Sequence, residues 1–209
     1  ISPLLVLPYI VSICGEERLG RTGVGFSFAL IAIVLVDYGS YINGTKQISI
    51  NSTNKEILEQ NFVTIYASKL ILLLTVLLLS FLFFTCIPFF EKDKLQILLS
   101  LLIVVGQFIN PTWFFQGIQN FKWISIINVV SKAIYIILVF GFIKTQNDYI
   151  YLNAFLGIGS IVASGFAFFW IKNKYAFSFK KTSFSKIQSL LKVEFSLTIS
   201  QLFFSLYQY

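Results

Sequence analysis

Ser125, Asn128, Lys132 and Tyr135 stand at i−7, i−4, i and i+3 around a lysine inside the apolar run 123–143. On an α-helix that spacing places all four on one face as a polar stripe. A charged side chain at membrane depth costs several kcal/mol, so it turns to a cavity or a partner and marks a functional site by default. A second charge, Asp37, shares a helical face with Ser40, Tyr41 and Gly44 in the run 24–43, and Gln107 and Asn110 lie one turn apart in 95–115. Lys132, Asn128, Ser125, Tyr135, Gln107 and Asp37 together could line a polar cavity. The other reading is that Lys132 and Asp37 pair with each other or with backbone carbonyls, while the hydroxyls and amides hold helices together.

Bond-making chemistry finds little material. The chain has no histidine, and its two cysteines, Cys14 and Cys86, sit singly in apolar runs as packing residues. A metal centre and histidine-based acid/base catalysis are therefore not expected. Glu16-Glu17 and Glu91/Asp93 are carboxylates of short loops mixed with basic residues. Gly20, Gly23 and Gly25 precede no Gly-Lys-Ser/Thr, so they form no phosphate loop. The expectation is a binding protein with no cofactor, not an enzyme.

The elements that must position these groups are membrane helices. Of 209 residues 56% are hydrophobic and 12% charged, with 24 Phe, and the mean hydropathy is +0.80. That balance lies far from a soluble domain and predicts an all-α, polytopic integral membrane protein. Seven apolar segments are read at 1–14, 24–43, 70–90, 95–115, 123–143, 149–171 and 195–209, the first and last cut short. Each complete one has about the twenty residues a helix needs to cross a bilayer. None alternates with period two, as a β-barrel would. Asn110-Pro111 falls inside the fourth segment, where proline removes a backbone donor and predicts a kink. The polar stretch Gln116–Lys122 then turns the chain into the fifth, with Trp113 and Trp123 placed for an interfacial belt.

Lysine and arginine give the orientation. The connections and span ends at 44–69, 116–123 and 172–193 carry ten: Lys46, Lys55, Lys69, Lys122, Lys172, Lys174, Lys180, Lys181, Lys186 and Lys192. Those at 15–23, 91–94 and 144–148 carry five, so the first set is placed in the cytoplasm and the Gly15–Gly23 turn outside. Within 44–69, Thr53-x-x-Glu56 matches a capping box ahead of Leu58, Phe62 and Ile65, predicting a helix lying at the interface. The domain reading is a transmembrane lobe over 1–171, a cytoplasmic connection over 172–193 and the start of a seventh span over 194–209. The chain holds no methionine and begins and ends within apolar runs, so an internal piece of a longer protein is expected. The net charge of +7 reports topology and contact with anionic membrane lipids rather than nucleic acid.

Several stretches carry a resemblance. They are Leu7-Pro8-Tyr9-Ile10 before Gly15-Glu16-Glu17-Arg18-Leu19-Gly20; Asp37-Tyr38-Gly39-Ser40 with Gly44-Thr45-Lys46; Asn54-Lys55-Glu56; and Leu191-Lys192 with Ser200-Gln201-Leu202. The strongest is Pro111-Thr112-Trp113-Phe114-Phe115-Gln116-Gly117-Ile118-Gln119. In these the chain resembles the O-antigen flippase family of bacterial polysaccharide transporters, within the multidrug/oligosaccharidyl-lipid/polysaccharide exporter superfamily. Ser196 stands near where many members have proline.

The resemblance implies the first lobe of a two-lobed, multi-pass protein of the bacterial inner membrane. Such proteins move an undecaprenyl-diphosphate-linked oligosaccharide to the outer leaflet, with other polysaccharide assembly proteins as partners. On that reading Lys132 attracts the diphosphate, Asn128, Ser125, Tyr135 and Gln107 hydrogen-bond the sugars, and the Asn110-Pro111 kink shapes the cavity or acts as a hinge. Two competing readings remain. One is a drug or cation antiporter using Asp37; the other is a membrane-embedded glycosyltransferase or polymerase, which the short outer loops disfavour.

Overall fold

The computed structural model describes residues 2–86, 91–178 and 182–208. The end of the expected third span (87–90) and Lys180 and Lys181 of the basic count lie outside them. The described residues form helices and no strand: α1 (Ser2–Cys14), α2 (Glu16–Asp37), α3 (Ser40–Ile50), α4 (Lys55–Cys86), α5 (Lys94–Ile109), α6 (Thr112–Gly117), α7 (Phe121–Phe142), a 3-10 turn (Gln146–Tyr151), α8 (Leu152–Tyr175) and α9 (Phe184–Gln208).

Among them five stretches are long and apolar enough to cross a membrane: Glu16–Asp37, Lys55–Cys86, Lys94–Gly117, Phe121–Phe142 and Gln146–Tyr175. They coincide with the five complete segments read from the sequence. Their outer surfaces are apolar, with Leu74, Leu78, Leu79 and Phe81 on α4 and Phe166 and Phe169 on α8 all exposed. Patches of that extent suit lipid rather than water. The protein is a multi-pass membrane protein.

α5 is the central helix, packed between α8 and α2 and also touching α4, while α7 lies on the other side of α8. Small residues make these approaches possible. A Cβ on Gly157 of α8 would sit 2.5 Å from the Leu102 carbonyl carbon, and one on Gly106 of α5 would sit 2.6 Å from Ser160 Cβ. The Gly157/Ser160 face is thus a helix-packing surface.

Several local expectations change. Only Gly15 (φ 82) breaks the chain after α1, and Glu16 to Gly23 already form the first turns of α2. The expected 24–43 span stops at Asp37. Tyr38 (φ 44) and Gly39 (φ 76) are both left-handed, and a new helix begins at Ser40. Asp37 and Ser40 therefore do not share one helix face. The 44–69 segment is not a separate interfacial helix, because from Lys55 it runs unbroken into the membrane helix as α4. At 32 residues α4 is about 48 Å long, well beyond a hydrocarbon core of about 30 Å. Asn54, rather than Thr53, caps it, its Oδ1 accepting the Glu56 and Ile57 amides.

The fourth span is cut in two. α5 ends at Ile109, Asn110 is extended (ψ 114), and α6 restarts at Thr112, whose N–H donates to Asn110 Oδ1 at 3.0 Å. Trp113 does not face outward as a belt residue would but is 2% exposed, in an aromatic core with Phe62, Phe114 and Phe115. Only Trp123 keeps a peripheral place, stacked on Phe115 at 5.6 Å.

The two ends of the bundle are chemically distinct. At one, Asp93 accepts from Arg21 (3.3 Å) and Tyr149 (3.2 Å), and Arg18 donates to Gln146. This brings together the three connections read as external. At the other lie α3, the start of α4, α6 and the start of α9.

Candidate functional site

The predicted site residues divide between two places. Asn128, Lys132 and Tyr135 of α7 line one cavity of about 520 Å³, together with Thr22, Gly23 and Phe26 of α2 and Asn153 of α8. Its apolar wall is contributed by α1, α8 and Leu19 of α2. The α7 stripe reaches this cavity because Gly159 of α8 lets the α7 backbone close in, a Cβ there falling 2.5 Å from Ser131 O. Ser131 itself lines the cavity and was not foreseen, since the spacing count from Lys132 passes over its neighbour. Ser125 does not line it; its hydroxyl donates to Phe121 O at 3.3 Å, one turn back on α7.

No acidic residue lines the cavity, and Lys132 has no ion-pair partner among the described residues. The proposed Lys132–Asp37 pair does not form. A buried polar base fixes the cavity wall instead. Asn153 Nδ2 donates to Thr22 O (3.0 Å) and Ser100 Oγ (2.8 Å), and Ser100 Oγ donates to Gln96 O (2.9 Å). Gly25 is needed beside it, because a Cβ would lie 2.6 Å from Ser100 Oγ.

Asp37 and Gln107 belong to the second place. Asp37 ends α2, eleven residues beyond Phe26 and so about 16 Å further along the helix axis. Lys69 Nζ of α4 donates to Asp37 Oδ1 at 2.7 Å, and Gln107 Nε2 of α5 donates to Oδ2 at 3.3 Å. Asn110 Nδ2 in turn reaches Gln107 Oε1 at 3.5 Å. On the far side Glu194 of α9, fully buried, accepts from Ser40 Oγ (3.1 Å) and Asn43 Nδ2 (3.0 Å). α9 comes this close because Gly39 has no Cβ, which would meet Leu197 Cβ at 2.9 Å.

Sequence reasoning placed Lys69 among loop charges and set Glu194 at a membrane interface. The signal for Lys69 was present: Leu58, Phe62, Ile65 and Lys69 continue one helical face, and all four are buried. Glu194 likewise sits on the buried face of α9 with Ile187 and Thr198. A buried charge cluster tied to three other helices is what a carboxylate and an ammonium need if neither is to stand desolvated and unpaired.

No group of histidine, cysteine or acidic residues among the described ones has a metal-binding arrangement.

The sequence family described as "Polysaccharide biosynthesis protein" matches residues 1–209. A protein of Escherichia coli (strain K12), provisionally named an O-antigen transporter, is 30% identical over 146 residues, which is 70% of this chain and 35% of that protein. A Shigella dysenteriae protein with the same provisional name is 25% identical over 181 residues, 83% of this chain and 44% of that one. The chain thus spans less than half the length of these curated relatives. No solved structure matches it.

Proposed function

The chain belongs to the polysaccharide biosynthesis protein family, and on that premise we propose that it forms the first lobe of a flippase. The cargo is an undecaprenyl-diphosphate-linked oligosaccharide, an O-antigen unit or similar, carried across the bacterial inner membrane. The observation that carries the reading is Lys132: a cation with no carboxylate beside it, on the wall of a cavity that also offers Asn128, Tyr135 and Asn153. A diphosphate crossing an apolar layer loses its hydration, and a fixed ammonium with amide and hydroxyl groups offsets that loss. Tyr135 and Asn128 supply both donors and acceptors, which suit sugar hydroxyls. Asp37 and Gln107, tied to Lys69, are assigned to the far end of the lobe rather than to the cargo. The Asn110-Pro111 break, next to that cluster, is the proposed hinge for alternating access.

The test is complementation. A bacterium lacking its own O-unit flippase, supplied with the protein that carries this chain and with its native sugar cluster, should regain surface polysaccharide. A well-expressed protein that restores none would refute the flippase reading.

A cation antiporter of the same superfamily is the second reading, and the half-buried Asp37 and fully buried Glu194 carboxylates favour it. It requires ethidium efflux driven by an imposed pH gradient and lost in Glu194→Gln.

A further inference from the structure

A cleft of about 390 Å³ opens between α3, α4 and α9, away from the Lys132 cavity. Its lining is unusual for a membrane protein. Asn43 and Gln47 stand one turn apart on α3, Gln60 and Asn61 are adjacent on α4, and Lys186 and Ser189 face them from α9. Four carboxamides therefore converge with two hydroxyls, Thr64 and Ser189, and one ammonium, and no carboxylate among the described residues lines the cleft. Ile65, Leu190 and Val193 supply an apolar side.

These amides are not consumed by the fold. Asn61 Nδ2 is buried without a hydrogen-bond partner among the described residues, an arrangement that natural structures rarely leave unmet. Asn43 gives its Nδ2 to Glu194 at 3.0 Å, which leaves its oxygen to the cleft. The two hydroxyls differ in this, Thr64 Oγ1 being bound to Gln60 O (2.8 Å) and Thr182 Oγ1 (2.9 Å), and Ser189 Oγ donating to Lys186 O (2.9 Å). A carboxamide presents a donor and an acceptor side by side, as do neighbouring hydroxyls on a sugar ring. The apolar side matches the ring's C–H face. The volume falls within the range of about 300–1,000 Å³ typical of ligand clefts.

We infer that this cleft is a saccharide-binding site, separate from the Lys132 cavity, for an uncharged sugar of one or two rings. It lies at the end of the lobe that the basic residues assign to the cytoplasm. Resting on the flippase reading, its role is to receive the sugar part of the cargo before the diphosphate reaches Lys132. A cargo so engaged is presented to the membrane cavity in a fixed orientation, and a bare lipid diphosphate is not.

The experiment is saturation-transfer NMR on the purified protein carrying this chain, in lipid nanodiscs, with maltose and N,N′-diacetylchitobiose as probes. Transfer to the ring protons of at least one probe is expected. The Gln47→Leu/Gln60→Leu double variant should bind about tenfold more weakly, while Lys144→Ala, at the opposite end of the lobe, should bind as wild type does. The near-isosteric Gln60→Glu, which replaces the amide donor with a charged acceptor, should weaken binding without lowering thermal stability. No transfer to either probe, or undiminished transfer in both Gln variants, overturns the inference. Displacement of the sugar by inorganic pyrophosphate also overturns it, since Lys186 would then hold a phosphate. In cells, absence of export by a protein that still binds sugar removes the flippase reading alone. Restored export with sugar binding indifferent to the Gln substitutions removes the cleft alone.

Discussion

Lys69 and Asp37 show how a buried charge behaves when its neighbours change. The Lys69 side chain is 1% exposed and its ammonium serves Asp37 directly, with Glu194 close by on α9, which packs against both helices. Lys69→Ala leaves Asp37 and Glu194 in one buried cluster without a cation, and breaking such a pair costs about 3–5 kcal/mol. The expected outcome is a lowered Tm and reduced membrane abundance. Asp37→Asn together with Lys69→Met removes both charges and should recover much of that loss, which thermal unfolding in detergent would measure. A double variant as unstable as Lys69→Ala would contradict the pairing. At this scale the sequence showed that Lys132 and Asp37 needed an answer, but not which. Charge and hydropathy cannot tell that Asp37 is answered by Lys69, because that depends on a turn at Tyr38 and Gly39 whose left-handed backbone no hydropathy pattern encodes.

Among the elements, α5 sets the others in place because α8 meets its backbone without an intervening side chain. Gly157→Ala should push α8 away from Leu102 and cost about 1–3 kcal/mol, since the obstructing atoms are backbone and cannot swing aside. Gly165→Ala, with open space around it, is the control and should leave thermal stability unchanged or slightly raised. Equal losses in both would contradict the close-packed interface. The membrane helices were legible here because about twenty apolar residues have few other fates. The break at Asn110-Pro111 was legible from proline chemistry. The unbroken α4 was not. Asn51 to Asn54 end α3 and start α4, but nothing in composition says that Lys55–Lys69 continues straight into the membrane instead of lying along it.

For the whole molecule, sidedness follows from where the charged connections gather. With Cys86→Ser as background, Asn147→Cys should react with a membrane-impermeant maleimide in intact cells, and Ser185→Cys only after the cells are opened. The reverse pattern would invert the lobe and place the amide cleft outside. Buried Lys69 drops out of the loop count, yet the basic excess on the 172–193 side stands. The candidate site was half legible. Asn128, Lys132 and Tyr135 meet in one cavity because a single helix carries them, whereas grouping them with Asp37 and Gln107 required relations between helices that spacing does not contain. The most direct measurement is surface polysaccharide per unit of membrane-inserted protein for wild type, Lys132→Arg and Lys132→Ala in the complemented strain. The account predicts that Lys132→Ala abolishes export at unchanged abundance while Lys132→Arg retains part of it. Export by Lys132→Ala at the wild-type level would contradict a cargo path through this cavity.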